Sequence, residues 1–430
     1  MSAPLRVGIA GLGTVGAGAV RLLGDRRELL ALRCGRPIVV TAVCARDRNR
    51  DRGIDLAGYR WCDDPLALAD DPEVDVVVEL IGGADGVAKR LIEAAIAAGK
   101  HAVTANKALL AHHGTALARA AERAGVAIGF EAAVAGGIPI VKALREGLAA
   151  NRIQRVYGIL NGTCNYILTA MRKTGREFAE VLAEAQALGY AEADPGIDVD
   201  GVDTAHKLAL LTSLAFGCEV DFGGVHVEGI RHVSATDITF AEELGYRIKL
   251  LGIARPTEHG IEQRVHACMV PIGTPIAHVE GVFNAVVTEG DFVGQSVAEG
   301  RGAGAGPTAS AVVADLIDIA RGRTVPTFAV PADALRPLVR SPMERHRGPY
   351  YVRLMVLDRP GVIADVAAAL RDELVSMEAM IQRARAPGEA VPVVLTTHDT
   401  EEASMRRALA RIAALDSVLE PPRMIRIEAL

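Results

Sequence analysis

The run Gly11-Leu12-Gly13-Thr14-Val15-Gly16 constrains this chain more than any other feature. It follows an apolar stretch that predicts a strand, Leu5–Ala10, and opens a helical pattern, Val15–Leu23. Glycines at these spacings permit a tight turn and let a pyrophosphate approach the backbone. The helix N-terminus adds free N–H donors and a favourable dipole. Gly11, Gly13, Thr14, Val15 and Gly16 are therefore candidate contacts of a dinucleotide cofactor.

The pattern around the motif supports that reading. Strands are predicted over Ile38–Cys44, Val74–Ile81, His101–Thr104 and Val126–Phe130, and helices over Asp85–Ala98 and Ala108–Ala124. Strands alternating with helices predict an α/β fold, a Rossmann-type doubly wound parallel sheet over residues 1–135. From residue 136 to 300 the rhythm changes to an α+β pattern, with helices over Glu177–Leu188 and Val202–Phe216 and strands within 246–288. A Gly-rich stretch, Glu299–Gly306, leads into a helix expected over Thr308–Ala320, with residues 300–322 packing back on the first domain. Residues 323–347 carry four prolines and many charges and read as a linker. The remainder, 348–430, follows strand–helix–strand–strand–helix–strand, a ferredoxin-like plan.

Composition narrows the function class. The 47 basic and 53 acidic side chains leave a net charge of −6, which argues against a nucleic-acid backbone binder. No uncharged apolar run approaches the ~18 residues of a membrane span. The first residues enter a strand without a charged leader, so no signal peptide is expected. Six scattered cysteines without a Cys-x-x-Cys pair predict neither a disulfide framework nor a zinc site and point to the cytoplasm. Seven of the 47 basic residues are Lys. Where Arg is so preferred, a remaining Lys points to chemistry that needs a titratable amine.

Two of those lysines stand in candidate sites. Thr104-Ala105-Asn106-Lys107 ends a strand, where open α/β sheets bind ligands, so Thr104 and Lys107 are candidate cofactor or substrate contacts. The segment from Glu192 to Lys207 holds five carboxylates within twelve residues and then the lysine. Asp203 and Lys207 are four apart on a predicted helix and share a face. A carboxylate there orients the amine and sets its protonation, and the others suit a substrate ammonium group. The same residues also describe an acidic loop with an ordinary helix ion pair. His206 falls on another face and reads as structural.

Three further stretches complete the set. At the end of the second strand, Arg46 stands where a selector residue belongs and suits a 2′-phosphate, which favours NADP, while Asp47 keeps NAD open. Asn161-Gly162-Thr163-Cys164-Asn165-Tyr166 is a polar loop before a helix, with Thr163 as a natural N-cap. Glu131 to Pro139 leaves the last strand irregularly and exposes carbonyls, which suits a monovalent cation or a domain-crossing turn alike.

Taken in order, GLGTVG, TANKALL, EAAVAGGIPI, LNGTCNYIL, GYAEADPGIDVDGVDTAHKLALL and GRGAGAGPTASAV resemble homoserine dehydrogenase over about residues 5–322. The tail from Tyr350, with Leu357-Asp358-Arg359-Pro360-Gly361-Val362, resembles an ACT regulatory domain. The resemblance implies NAD(P)-dependent interconversion of homoserine and aspartate 4-semialdehyde. It implies Lys207 as catalytic lysine beside Asp203, and Lys107 as a second active-site lysine. It further implies Glu192, Asp198, Gly162 and Thr163 as substrate contacts, and Gly304 as a cofactor contact. Glu131, Val134, Gly136 and Ile138 match a sodium or potassium site, with Glu131 and backbone carbonyls as ligands. Threonine is the implied regulator and a homodimer or homotetramer the implied assembly. The competing expectations are another amino-acid semialdehyde dehydrogenase on this scaffold, and a catalytically dead cofactor-binding sensor.

Overall fold

The computed structural model describes residues 3–383 and 388–430. The first sheet is built from β1 (Leu5–Ala10), β2 (Ile38–Cys44), β3 (Arg60–Cys62), β4 (Val76–Glu79), β5 (His101–Thr104) and β6 (Ile128–Gly129). All pairs are parallel and the order is β3-β2-β1-β4-β5-β6. The strands read as continuous apolar runs because both faces are covered. Val7, Ile9, Val76 and Val78 pack under helices Thr14–Asp25 and Ala305–Ala320. Ala42 and Val77 meet Leu68 and Leu91 from the opposite side. Strand order reverses between β1 and β4, and such a reversal opens a ligand crevice at the carboxyl ends of the strands.

Helix Ala305–Ala320 starts three residues before the expected Thr308. Gly304 sits at φ +122, a conformation only glycine adopts readily, and turns the chain into the helix there. Helix Arg27–Cys34 and β3 escaped the sequence reading: β3 has three residues, too few to show a period.

The second sheet begins with β7 (Ile153–Ile159), β8 (His226–Val227), β9 (Tyr246–Thr257), β10 (Gly260–Pro271), β11 (Phe283–Gly290) and β12 (Gly294–Arg301). Helix Val202–Phe216 runs against β7, β9 and β10 and is buried at every position from Asp203 to Leu214. From Leu208 to Phe216 its sequence is mostly apolar, as a helix enclosed by a core requires, while Asp203, His206 and Lys207 sit in its first turns.

The C-terminal residues form β13 (Arg347–Gly348), β14 (Tyr350–Leu357), β15 (Met377–Ile381), β16 (Ala390–Thr397), β17 (Thr400–Glu401) and β18 (Arg423–Ile427), with helices Val362–Asp372 and Glu402–Ala413. Four strands pair antiparallel in the order β18-β14-β16-β15. β18 also pairs in parallel with β10, Cys268 opposite Arg426 and Met269 opposite Ile427. The middle and C-terminal units therefore share one sheet, β12-β11-β7-β9-β10-β18-β14-β16-β15.

Two buried arginines cross-link that junction. Arg264 is paired with Glu262 and, from beyond β18, Glu428. Arg426 on β18 is paired with Glu228 at 2.8 Å and Glu402 at 2.5 Å. Residues 323–347, expected as a linker, are not a free tether. Phe328 is fully buried with its ring 5.3 Å from Phe130, and the Glu122 carboxylate accepts the Thr327 and Ala332 amides. The apolar residues spaced between the prolines hold this segment to the surface it crosses.

Candidate active site

A cleft of about 630 Å³ opens where the first sheet meets the second. Thr14, Val15, Lys107, Gly136, Gly162, Thr163, Asp198, Asp203, Lys207 and Gly304 line it. Residues spread over nearly 300 positions thus meet in one wall.

One end is built for phosphate. Gly11 sits at φ +96, and a Cβ there would come 2.4 Å from the Leu80 carbonyl. A Cβ on Gly16 would come 2.0 Å from the Gly11 carbonyl. Gly13 caps helix Thr14–Asp25 without a side-chain acceptor, so the first-turn amides stay open to a ligand. Gly304 caps helix Ala305–Ala320 in the same way. The two helices pack against each other, Gly18 lying so close that its Cβ would meet the Ala305 carbonyl at 2.8 Å. Two glycine-capped N-termini therefore converge on the cleft, where a nicotinamide dinucleotide's phosphates fit.

The other end holds the charged cluster. Asn106 caps helix Lys107–Arg123 with its side chain, which sets Lys107 at the cleft wall. Helix Val202–Phe216 supplies Asp203 and Lys207 from its buried first turns. Lys207 Nζ lies 2.7 Å from Asp203 Oδ2 and donates to the Leu160 carbonyl at 2.6 Å. Lys107 Nζ lies 3.2 Å from Asp203 Oδ1. Burial alone would raise the Asp203 carboxyl; the two ammonium charges, with bonds from Lys207 and Asn161, outweigh it and hold the group far below the usual carboxylate range. Asp198 moves the other way, raised by burial and by the Asp203 charge.

Not every expected residue faces the cleft. Thr104 is fully buried beneath it and donates to Glu79 Oε2 at 2.6 Å, so its side chain supports the floor. Glu192 is exposed and outside the lining. Arg46 is exposed past the end of β2 and is not among the lining residues. His206 is buried against Phe222, ring centroids 4.4 Å apart, and burial lowers it to about 4. Thr163 is not the N-cap: Asn161 is, its Oδ1 accepting from the Cys164 amide at 2.8 Å, while Thr163 donates to the Tyr190 carbonyl.

The turn after β6 holds the residues expected at a cation site. The Glu131 carboxylate accepts the Val141 and Lys142 amides at 3.0 and 2.9 Å, one on each oxygen, which fixes its direction. Burial, then the nearby Asp315, pushes it up to about 7. Ala135 and Gly136 both take left-handed conformations, which turns the carbonyls of the segment. Among the described residues no hydrogen bond reaches the Val134 or Gly136 carbonyl, whereas the Ile138 carbonyl accepts the Ile140 amide at 2.8 Å.

Several lining residues were not expected from the sequence. Asn284 is 1% exposed and its Oδ1 has no partner among the described residues. Arg301 lines the cleft with its guanidinium 5.7 Å from the Phe283 ring centroid. Outside the lining, Arg52 donates to the carbonyls of Leu12 and Asp47 and lies 5.8 Å from the Trp61 ring, bracing the glycine loop. Arg301 falls within the Gly-rich motif, but the motif assigns it no contact; Asn284 and Arg52 carry no local motif, and the fold brings them in.

Comparison with known proteins places the chain in a family. Residues 139–317 match the homoserine dehydrogenase family model, and residues 11–131 match the model of the homoserine dehydrogenase NAD binding domain. The homoserine dehydrogenases of Neisseria gonorrhoeae and Pseudomonas aeruginosa are each 48% identical, with 99% of this chain and 99% of each relative covered. The crystal structure of a homoserine dehydrogenase from Thiobacillus denitrificans superposes with a TM-score of 0.94 at 48% identity, covering 99% of this chain and 98% of that one. The chain belongs to the homoserine dehydrogenase family, NAD(P)-dependent oxidoreductases that act on a CH–OH group.

Proposed function

We propose that the cleft interconverts L-homoserine and L-aspartate 4-semialdehyde with Lys207 moving the proton. The observation that carries this is the sharing of one buried carboxylate, Asp203, between two lysines on the cleft wall. A bound nicotinamide supplies the hydride to the aldehyde carbon or takes it from the alcohol. Lys207 donates the proton to the carbonyl oxygen in one direction and removes it in the other. Its charge also stabilises negative charge developing on that oxygen. Asp203 keeps the amine oriented, its Oδ2 2.7 Å from Lys207 Nζ. Lys107, on the other oxygen of Asp203, positions substrate and cofactor. Asp198, which lines the cleft, suits the substrate ammonium group, with the exposed Glu192 proposed as a second carboxylate, and Gly162 and Thr163 present the loop beside it.

The cofactor reading is NADP, with NAD the alternative. Arg46 follows the carboxyl end of β2, where a 2′-phosphate would lie, and Arg48 and Arg52 lie 5.9 and 5.8 Å from the centroid of the Trp61 ring on β3. A sodium or potassium ion is proposed at the turn after β6, held by the carbonyls of Val134 and Gly136, with those of Glu131 and Ile138 beside them. The C-terminal unit is proposed to be an ACT domain that binds threonine. Helix Val362–Asp372 starts at Gly361, at φ +98 and without a side-chain cap, which leaves amides for an amino-acid ligand. A homodimer or homotetramer is the proposed assembly: β12 ends its sheet, with Phe283, Phe292, Val293 and Val297 exposed nearby. No helix among the described residues is long and apolar enough to cross a membrane, and all six cysteines are unpaired and buried, which supports a cytoplasmic location.

The test follows reduced-nicotinamide absorbance with aspartate semialdehyde, comparing NADPH with NADH, with and without threonine. Rapid oxidation is the expected result. Folded protein that binds nucleotide yet oxidises neither cofactor would move the reading to another semialdehyde or to a sensor. A flat response across millimolar threonine would remove the regulatory part.

A further inference from the structure

Asp198 and Asp203 approach each other at the floor of the cleft, and one neutral side chain stands between them. Asn161 Nδ2 donates to Asp198 Oδ1 at 2.8 Å and to Asp203 Oδ2 at 2.9 Å. Both protons of one amide are thereby spent on two carboxylates. Its Oδ1 accepts the Cys164 amide at 2.8 Å, which fixes the amide plane and the direction in which Nδ2 points. Asn161 is 5% exposed.

We propose that Asn161 is a positioning residue that holds Asp198 and Asp203 together as a pair of ionised carboxylates and fixes which oxygen of Asp203 serves which lysine. Oδ2 accepts from both Asn161 and Lys207, so Oδ1 is left to face Lys107. Without the amide, the buried Asp203 carboxylate and the half-buried Asp198 carboxylate would face each other with no donor between them. Such a pair relieves its repulsion by taking up a proton or by swinging apart. Either change would misplace Lys207 and alter the ammonium subsite at Asp198.

The groups that face this pair come from several elements. Lys207 shares the helix of Asp203, Lys107 reaches in from helix Lys107–Arg123, and the Thr163 hydroxyl and Cys164 thiol lie on helix Gly162–Thr174. Asp200 is turned away and paired with Arg231 at 2.5 Å. Asn161 is the neutral donor that bridges the two carboxylates, and aspartate or serine could replace it as a helix cap but not as that bridge.

This proposal rests on the assignment of Lys207 and Asp203 to proton transfer, and the experiment separates the two. Asn161→Ser keeps a cap acceptor and loses the bridging amide; Asn161→Asp keeps the cap and adds a third carboxylate. Thermal midpoint, NADPH binding, kcat, KM for the semialdehyde and the pH profile of kcat/KM are measured for both, with Lys207→Met alongside. The expected result is an Asn161→Ser enzyme that still folds and binds NADPH, with kcat/KM lowered roughly 10- to 100-fold, in line with the loss of charge-assisted bonds. The acid limb of its profile moves to higher pH as Asp198 takes up a proton. Asn161→Asp moves it further. Wild-type kcat/KM and an unmoved profile in either folded variant, with Lys207→Met inactive, overturn the proposal for Asn161 alone. An active Lys207→Met overturns the assignment beneath it. A loss confined to thermal midpoint, with kinetics unchanged, makes Asn161 a helix cap and nothing more.

Discussion

Lys107 and Lys207 divide one carboxylate: Lys107 Nζ lies 3.2 Å from Asp203 Oδ1 and Lys207 Nζ 2.7 Å from Oδ2. One lysine opens a helix at the end of β5 and the other lies in a helix enclosed by the second sheet. The shared carboxylate therefore joins the helix that follows β5 of the first sheet to helix Val202–Phe216. Their exposures separate their roles: the Lys207 side chain is 10% exposed and that of Lys107 36%.

Lys207→Met should lower kcat by roughly 10²- to 10⁴-fold, the usual worth of a positioned proton donor, while NADPH binding is retained. Lys207→Arg keeps the charge but cannot give up the proton, so it should be nearly as slow. Lys107→Met should raise KM more than it lowers kcat. Steady-state kinetics with nucleotide binding by fluorescence check all three.

Arg46→Ala and Arg52→Ala should differ in kind. Arg46 is exposed and would meet only the 2′-phosphate, so its loss should raise KM for NADPH about 10-fold or more and leave KM for NADH unchanged. Arg52 holds the Leu12 carbonyl of the glycine loop, so its loss should weaken both cofactors. The ratio of kcat/KM values for the two cofactors reads the difference.

Arg426→Met should destabilise the folded chain by about 3–5 kcal/mol, because it strands Glu228 and Glu402 without their buried partner. Double replacement of Arg426 and Glu402 by apolar residues should recover part of that loss. Chemical denaturation followed by fluorescence and circular dichroism measures it. Since β18 pairs with β10, the middle and C-terminal units should unfold in one transition.

Glu131 gives a pH signature. Its folded pKa of about 7 lies above the ordinary carboxylate value, so the folded state holds the proton more tightly than the unfolded chain. Its contribution to stability is complete below the unfolded value of about 4.5 and is lost as pH rises through about 7. Glu131→Gln removes that titration. The stability difference between wild type and variant should therefore favour wild type more near about pH 5 than near about pH 8, by an amount on the order of 2 kcal/mol. Sodium or potassium, if held at the adjacent carbonyls, should raise the wild-type thermal midpoint relative to a bulky organic cation.

Much was legible in the sequence because its signals are local. A glycine turn needs glycines at fixed positions, and the helix carrying Asp203 and Lys207 needs only a spacing of four to put both on one face. Strand β18 was read at its bounds, Arg423–Ile427, and helix Val202–Phe216 likewise. Where signals compete locally, the reading slipped. Thr163 and Asn161 are both good caps, and only the path of the chain into the helix chose Asn161.

The sequence by itself determined the parallel nucleotide-binding sheet, its phosphate turn, the pairing of Asp203 with Lys207 and the family to which the chain belongs. These follow from neighbours along the chain and from residue types that few other chemistries require. Tertiary structure alone decided that Lys107 reaches the same carboxylate, that Asn161 bridges it to Asp198, that the Glu131 carboxylate turns to the Val141 and Lys142 amides, and that β18 completes the sheet through β10. Each of these depends on distances between residues far apart in sequence. Strand order and helix packing set such distances, and no spacing along the chain encodes them.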